Sequence, residues 1–219
     1  MTVEEIFAKG GFVVWILFGY SVLALALLLE RFITFMLLGR PPRDFEDRLL
    51  LALRNNEVAA LLAPLRGPEV VIVRGMLEAS VAGVKDLARV ATRIGSEELQ
   101  RMERGFRTLA VLGNTAPLLG LFGTITGMIK AFMVIEQAGG RVDAQALAGG
   151  IWEAMLTTGV GLAVALPILL MLHVLEGIAD RRAQGMRSSA SVVLEQMQGG
   201  SLMDGAEPVH HREGVVHAV

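Results

Sequence analysis

Three long runs of apolar residues, separated by charged segments, constrain this chain more than any other feature. The first covers residues 12–29, the second 108–129, and the third 144–175 with one internal charge at Glu153. A helix that crosses a hydrocarbon core of about 30 Å needs roughly 20 apolar residues. Because lipid offers no partners to backbone N–H and C=O groups, each run is predicted to be a transmembrane helix.

The composition agrees with this prediction and argues against several classes of function. Of the 219 residues, 53% are hydrophobic and 19% are charged, which is unusually apolar for a soluble domain. A net charge of −2 and few aromatic residues argue against nucleic-acid binding. The chain has no cysteine, so it has neither disulfides nor thiolate metal sites. The spans hold no aspartate, and Ser21 with His173 matches no protease motif, so neither an enzyme nor a cofactor is expected.

Basic residues near the span ends predict the orientation of the chain in the membrane. Arginines follow the first span, precede the second and follow the third: Arg31, Arg40, Arg43, Arg101, Arg104, Arg107, Arg181, Arg182 and Arg187. The N-terminus has only Lys9, and the link between the last two spans has only Arg141, with Lys130 at its edge. The positive-inside rule therefore predicts that the N-terminus and this link lie outside.

The first apolar run could instead be a secretory signal peptide, because Ala24, Leu25 and Ala26 resemble a cleavage site. The residues before the run are net acidic, however, and a basic cluster follows it, as in a stop-transfer segment. These two features favour a retained membrane span.

The segment between the first two spans is predicted to be helical. Residues 44–62 carry apolar side chains at helical spacing, and 69–84 form a second candidate helix after a turn at Pro64, Gly67 and Pro68. A third helix is expected to begin near Asp86 and to continue without a break into the second span.

The predicted architecture is an all-α membrane protein with three transmembrane helices, the N-terminus outside and a helical cytoplasmic segment. Its expected parts are the N-terminus with the first span (1–39), the cytoplasmic segment (40–106), the second span (107–135), the external link (136–146), the third span (147–175), a helical extension (176–195) and a disordered tail (196–219). The tail contains His210, His211 and His217; a disordered tail is favoured over a metal site there, and no metal site is predicted.

Glu153 is the most informative single residue. A carboxylate within a span costs about 2.5–3.5 kcal/mol on insertion scales, so it normally faces a water-filled cavity or a polar partner. Small and polar residues share its helical face, including Thr157 and Thr158: Gly150, Glu153, Ala154, Thr157, Thr158, Gly161 and Ala165. A position near the interface, from which the carboxylate snorkels to water, is the alternative.

The second span has a matching series of small residues, Gly113, Pro117, Gly120, Gly123, Thr124 and Gly127. Such spacing is typical of close helix packing in membranes, and less often of an ion pathway. Pro117, and Pro167 in the third span, are expected to loosen the backbone hydrogen bonds of their helices. The carboxylate of Glu153 and the hydroxyl groups of Thr124, Thr157 and Thr158 together suggest a route for protons or other cations through these two spans. A second carboxylate would then be supplied by another chain.

Two stretches closely resemble the signature sequences of the MotA/TolQ/ExbB proton-channel family. They are LGNTAPLLGLFGTITGMIKAF at 112–132 and LAGGIWEAMLTTGVGLAVALP at 147–167, with a weaker echo at 21–31. The number of spans favours the TolQ/ExbB branch. Thr157, where many members have alanine, and Leu172, His173 and Val174, where many have a Tyr-Asn pair, depart from the pattern.

The resemblance implies a homopentamer in the bacterial inner membrane around single-span ExbD/TolR-like chains, which supply an aspartate, and a TonB- or TolA-like periplasmic partner. It implies that Thr124 and Thr158 line the pore and that Glu153 is the family's third-span glutamate. The expected function is an ExbB-like motor subunit that couples the proton motive force to TonB-dependent transport. A TolQ-like envelope motor and a non-conducting scaffold remain alternatives, as do protons and sodium for the ion and a proton-exit role for His173.

Overall fold

The computed structural model describes residues 11–39, 41–42, 44–137 and 144–204. These residues form seven helices: α1 (Gly11–Leu37), α2 (Phe45–Arg54), α3 (Val58–Leu62), α4 (Pro68–Val81), α5 (Leu87–Met102), α6 (Phe106–Gln137) and α7 (Ala144–Asp204). The predictions that concern the tail histidines, the residues before 11 and most of the 136–146 link lie outside the described residues.

Three of the described helices, α1, α6 and the part of α7 from Leu147 to Met197, are long and apolar enough to cross a membrane. With 27 and 32 residues, α1 and α6 reach about 40 and 48 Å, since each residue adds about 1.5 Å. The prediction of an all-helical protein with three transmembrane helices is confirmed. The first helix continues through Ala24, Glu30 and Arg31 to Leu37 without a break.

Two predicted continuous helices are interrupted, in each case at a residue with a left-handed backbone. The expected helix over 44–62 is split into α2 and α3 at Asn56, whose φ is 57°. The helix expected to run from Asp86 into the second span ends at Met102 and restarts at Phe106, with Gly105 at φ 86° between them. Left-handed dihedrals cannot continue a right-handed helix, and glycine and asparagine tolerate them best.

Two other boundaries differ less. Helix α4 covers Pro68–Val81, close to the expected 69–84, with Pro68 in the first turn where its missing N–H removes no helical hydrogen bond. Helix α7 has 61 residues and continues to Asp204, past the end at residue 195 that the sequence suggested.

The chain divides into two compact units. Among the described residues, the transmembrane unit contains those up to Leu38 and those between Leu99 and Arg181, and the inter-span unit contains those between Gly39 and Glu98 and those from Arg182 to Asp204. In the transmembrane unit, all three spans share a core in which Val13 and Leu17 from α1 pack with Ala116 from α6 and Ala165 from α7. The second and third spans are thereby held against the first.

The buried side chain of Arg31 binds the end of α5, next to the break between α5 and α6. Its guanidinium donates a hydrogen bond from Nη1 to the carbonyl of Arg101 at 3.1 Å and from Nη2 to Oε1 of Glu30 at 2.6 Å. Because the last carbonyls of a helix lack intrahelical partners, the bond to Arg101 stabilises the end of α5. Stacked rings of Phe35 and Phe106, with centroids 6.5 Å apart, lie in the same unit.

The inter-span unit contains a buried ion pair. Arg182 of α7 donates from Nη1 to Oε1 of Glu69 at 3.0 Å and from Nη2 to the carbonyl of Gly39 at 2.6 Å. Glu69 also lies against Gly185, where an added Cβ would come within 3.1 Å of Oε1. The pair therefore joins the start of α4, the second residue after the end of α1 and the α7 extension.

Candidate ion-conducting site

Small residues bring α6 and α7 into backbone contact in an antiparallel register. An added Cβ at Gly127 would lie 3.2 Å from Cβ of Ala154, and one at Gly150 would lie 2.5 Å from Cβ of Ala131. Further along, a Cβ at Gly161 would come within 2.7 Å of the carbonyl oxygen of Ala116. Since real Cβ atoms do not approach other atoms this closely, glycine at 150 and 161 allows the spacing between these spans.

The middle of this contact contains Gly120 and Gly123 of α6 and the threonines of α7. A Cβ at Gly120 would meet the carbonyl oxygen of Thr157 at 2.9 Å, and one at Gly123 would meet Oγ1 of Thr157 at 2.5 Å. Five glycines from the two series of small residues noted in the sequence lie at this α6–α7 contact: Gly120, Gly123, Gly127, Gly150 and Gly161.

The structure separates the two adjacent threonines of α7. The Thr157 side chain is 2% exposed, and its hydroxyl donates to the carbonyl of Ala154 at 2.8 Å and approaches that of Gly120 at 3.4 Å. Thr158 is half-buried, and its hydroxyl donates to the carbonyl of Gly120 at 3.2 Å. Thr157 therefore lies inside the helix contact, which differs from the pathway position that the sequence suggested.

Thr124 of α6 is also half-buried. Its hydroxyl donates to the carbonyl of Leu121 at 2.6 Å, one turn back in the same helix. A threonine hydroxyl that donates to a backbone carbonyl keeps its oxygen lone pairs available, so Thr124, which donates within α6, and Thr158, which donates across to α6, can each still accept a hydrogen bond from water.

Glu153 lies at the rim of the α6–α7 contact and has a cationic partner. The distance from its Oε1 to Nζ of Lys130 is 3.5 Å, and the two side chains are 28% and 66% exposed. The carboxylate is also close to the start of α1, since a Cβ at Gly11 would come within 3.2 Å of the same oxygen. The site thus brings together the partly exposed carboxylate of Glu153, the ammonium group of Lys130 and the backbone of Gly11 at the start of α1.

The sequence identified Glu153 but missed its partner. In the sequence, Lys130 stands out only as a charge at the edge of the external link. The signal was present, because residues 130 and 153 lie at similar distances from the link, and an antiparallel helix pair brings such residues to the same level. Glu69 and Arg182, which are far apart in sequence, gave no comparable signal.

Both prolines lie inside their spans, Pro117 in α6 and Pro167 in α7. Proline has no N–H, so the carbonyls of Gly113 and Ala163, four residues earlier, lose their helical donors. Nearer the other end of the third span, the largely exposed His173 has only Glu176, 3.6 Å away, as an ion-pair partner within the described residues. Nothing in this geometry connects His173 with Glu153.

The opposite side of α7 forms an open apolar groove of about 320 Å³. It is lined by Trp152, Met155, Leu156, Gly159, Val160 and Ala163. The helix therefore has one side packed on α6 and another that is exposed in the single chain.

Comparisons with known proteins agree with the two signature stretches. A family model for the MotA/TolQ/ExbB proton channel family matches residues 68–188. A putative biopolymer transport protein ExbB-like 1 from Synechocystis is 34% identical over 195 residues, which cover 80% of this chain and 71% of that protein.

Two further relatives carry names from both branches. Biopolymer transport protein exbB1 from Vibrio cholerae is 28% identical over 207 residues, covering 92% of this chain and 91% of the relative. The Tol-Pal system protein TolQ from Haemophilus influenzae is 28% identical over 184 residues, covering 76% and 80%. These identities do not separate one branch from the other.

Proposed function

This chain belongs to the MotA/TolQ/ExbB proton channel family. From that premise we propose that the carboxylate of Glu153 takes up and releases the protons that the channel conducts. The chain is a multi-pass inner-membrane protein and a proton-channel subunit that energises other membrane processes. The finer proposal is an ExbB-like subunit, in which proton flow through an assembled ring drives TonB-dependent transport.

The observation that supports a proton-carrying role is the position of Glu153. It is an acid in the third span, 28% exposed at the rim of a backbone-packed helix pair, where a hydrated lumen could reach it. A carboxylate there takes a proton from water on one side and returns it to water on the other. Thr124 and Thr158, both half-buried, would hydrogen-bond to the water molecules along this route.

The proposed assembly is a homopentamer with the N-terminus outside. Single-span ExbD/TolR-like chains in its centre would provide a second carboxylate, and a TonB- or TolA-like protein would receive the force. The groove around Gly159 offers each copy an apolar face for a neighbouring helix or lipid. A TolQ-like role in envelope integrity is the second candidate, supported by the likeness to a TolQ protein over 76% of the chain.

The test measures proton flux into liposomes that contain the complex purified with its native partner chains. Glu153→Gln keeps the size of the side chain but cannot exchange a proton, so flux is expected to fall by about 100-fold or more. Glu176→Gln, the same change at the cytoplasm-proximal part of α7, is the matched control and is expected to keep full flux.

The two threonines extend the same measurement. Thr158→Ala is expected to lower flux severalfold with little change in stability. Thr157→Ala removes a buried hydrogen bond and is expected to lower stability by about 0.5–1.5 kcal/mol with a smaller effect on flux. If Glu153→Gln and Thr158→Ala both keep full flux, the chain is a scaffold and the partner chains conduct.

A further inference from the structure

Two positive features converge on one oxygen of Glu153. Nζ of Lys130 lies 3.5 Å from Oε1, and the N-terminal end of α1 at Gly11 approaches the same oxygen. Gly11 has a φ of 59°, which suits glycine, and a Cβ at this position would be 3.2 Å from the carboxylate. The N-terminal end of a helix favours a negative charge, so both features act on the carboxylate in the same direction.

The packing of the spans fixes this arrangement. Gly127 packs on Ala154 and Ala131 packs on Gly150, so residues 130 and 153 are each next to a close backbone contact. Neither helix can rotate or slide by one residue without breaking these contacts. The ion pair is therefore a consequence of the helix register rather than of two long side chains that happen to meet.

We propose that Lys130 is the specificity-determining residue of this site, where its ammonium group takes the place of a metal cation on Glu153 and so restricts exchange to protons. The proposal rests on the proposed role of Glu153 in conduction. It goes further by naming the residue that decides between protons and sodium, a choice that the sequence left open.

The charge balance explains the discrimination. A sodium ion that binds the carboxylate has to displace Lys130 or add a second positive charge within a few ångströms, which is unfavourable in a partly dehydrated site. A proton delivered by a hydronium ion forms an O–H bond, leaves Glu153 neutral and releases one water molecule. Lys130 is then free of the ion pair, and its long stem can extend its ammonium toward the interface.

The first measurement is the rate at which a carbodiimide, dicyclohexylcarbodiimide, modifies Glu153 in the purified complex, followed by mass spectrometry. The O–H group of a protonated carboxyl adds across a C=N bond of the reagent, with the proton going to nitrogen and the oxygen to carbon, to give an O-acylisourea. Sodium binds the ionised carboxylate, so bound sodium slows the reaction. Sodium in place of choline is expected to leave the rate unchanged in the wild type. In Lys130→Gln it is expected to slow the rate by roughly tenfold, because the competing charge is gone.

Two variants serve as controls. Lys130→Arg retains the charge and is expected to behave like the wild type, and Lys85→Gln removes an exposed lysine from the inter-span unit without effect. Sodium and proton fluxes in liposomes provide the second measurement, in which Lys130→Gln is expected to raise the ratio of sodium to proton flux. Labelling that remains insensitive to sodium in Lys130→Gln would overturn the proposal.

This outcome is distinct from a failure of the proposed function. The labelling rate reports cation binding at Glu153 whether or not the complex conducts protons. It can therefore also be measured in a variant that has no proton flux. Conversely, if Glu153→Gln keeps full proton flux, the conduction role is wrong even where sodium protects Glu153 in Lys130→Gln.

Discussion

Glu69 in the inter-span unit and Glu153 in the transmembrane unit each face a basic side chain, but their surroundings are opposite. Glu69 and Arg182 are 5% and 11% exposed and 3.0 Å apart, whereas Glu153 and Lys130 are 28% and 66% exposed and 3.5 Å apart. The enclosed pair cannot open without leaving a charge in the protein interior. The open pair can separate, since either group can turn to water.

The two pairs contain similar residue types but differ in exposure, and exposure determines how much free energy is lost when each pair is broken. Oε2 of Glu69 has no hydrogen-bond partner in the part of the chain that the structure describes, so its charge depends strongly on Arg182. Breaking a buried pair costs about 3–5 kcal/mol, and exposed pairs contribute about 0–1 kcal/mol. We therefore expect Glu69 to stabilise the fold, whereas the exposure of Glu153 is compatible with its proposed role in proton exchange.

The largest effect is expected from Arg182→Gln. It leaves Glu69 buried without its cation and should lower the free energy of unfolding by about 3–5 kcal/mol, measured by denaturant titration in detergent. Arg89→Gln breaks an exposed pair with Asp86 and should change stability by less than about 1 kcal/mol. Equal effects of the two variants would remove the basis of the comparison.

In the transmembrane unit, we expect close backbone packing to contribute more stability than the ion pair of Glu153 and Lys130. Gly161→Ala places a methyl group 2.7 Å from the carbonyl oxygen of Ala116, and backbone atoms cannot move aside easily. A loss of about 1–3 kcal/mol is expected in the same titration.

Its control lies two residues away in the same helix. Nothing lies within 4 Å of an added Cβ at Gly159, so Gly159→Ala should be neutral or stabilising by up to about 1 kcal/mol, because alanine favours helix. If Gly161→Ala is as well tolerated as Gly159→Ala, the close contact of α6 and α7 does not hold the spans together.

The smallest effect is expected at the exposed pair of Asp44 and Arg48. The hydrogen bond from Arg48 lowers the pKa of Asp44, with Nε and Oδ2 2.6 Å apart. A lowered pKa means that the stabilisation is present above the unfolded-state pKa of about 3.9 and is lost as the pH falls through the folded-state value. Thermal scans at decreasing pH should show a slight loss that Asp44→Asn abolishes and Asp47→Asn does not; a larger loss than that of Arg182→Gln would contradict the ranking by exposure.

The sequence was sufficient for the spans because hydrophobic length is a local property. It also identified Glu153, since a charge in an apolar run stands out, and it identified the packing glycines from their spacing. Each of these features can be recognised within a single helix. The pathway roles of Glu153, Thr124 and Thr158 remain predictions.

The features that the sequence did not reveal depend on contacts between distant segments or on single backbone angles. Thr157 and Thr158 are adjacent and chemically identical, and only the rotation of α7 against α6 decides which one is buried. The break at Gly105 depends on one left-handed residue in a strongly helical pattern. The pairing of Glu69 with Arg182 joins residues 113 positions apart.

The interlocked glycines between α6 and α7 have a mechanical consequence. With backbone against backbone at Gly120 and Gly161, the two helices cannot shear or roll past each other over a small energy barrier. A displacement of one of these two spans is therefore expected to carry the other span with it, so that a conformational change would have to bend the protein elsewhere.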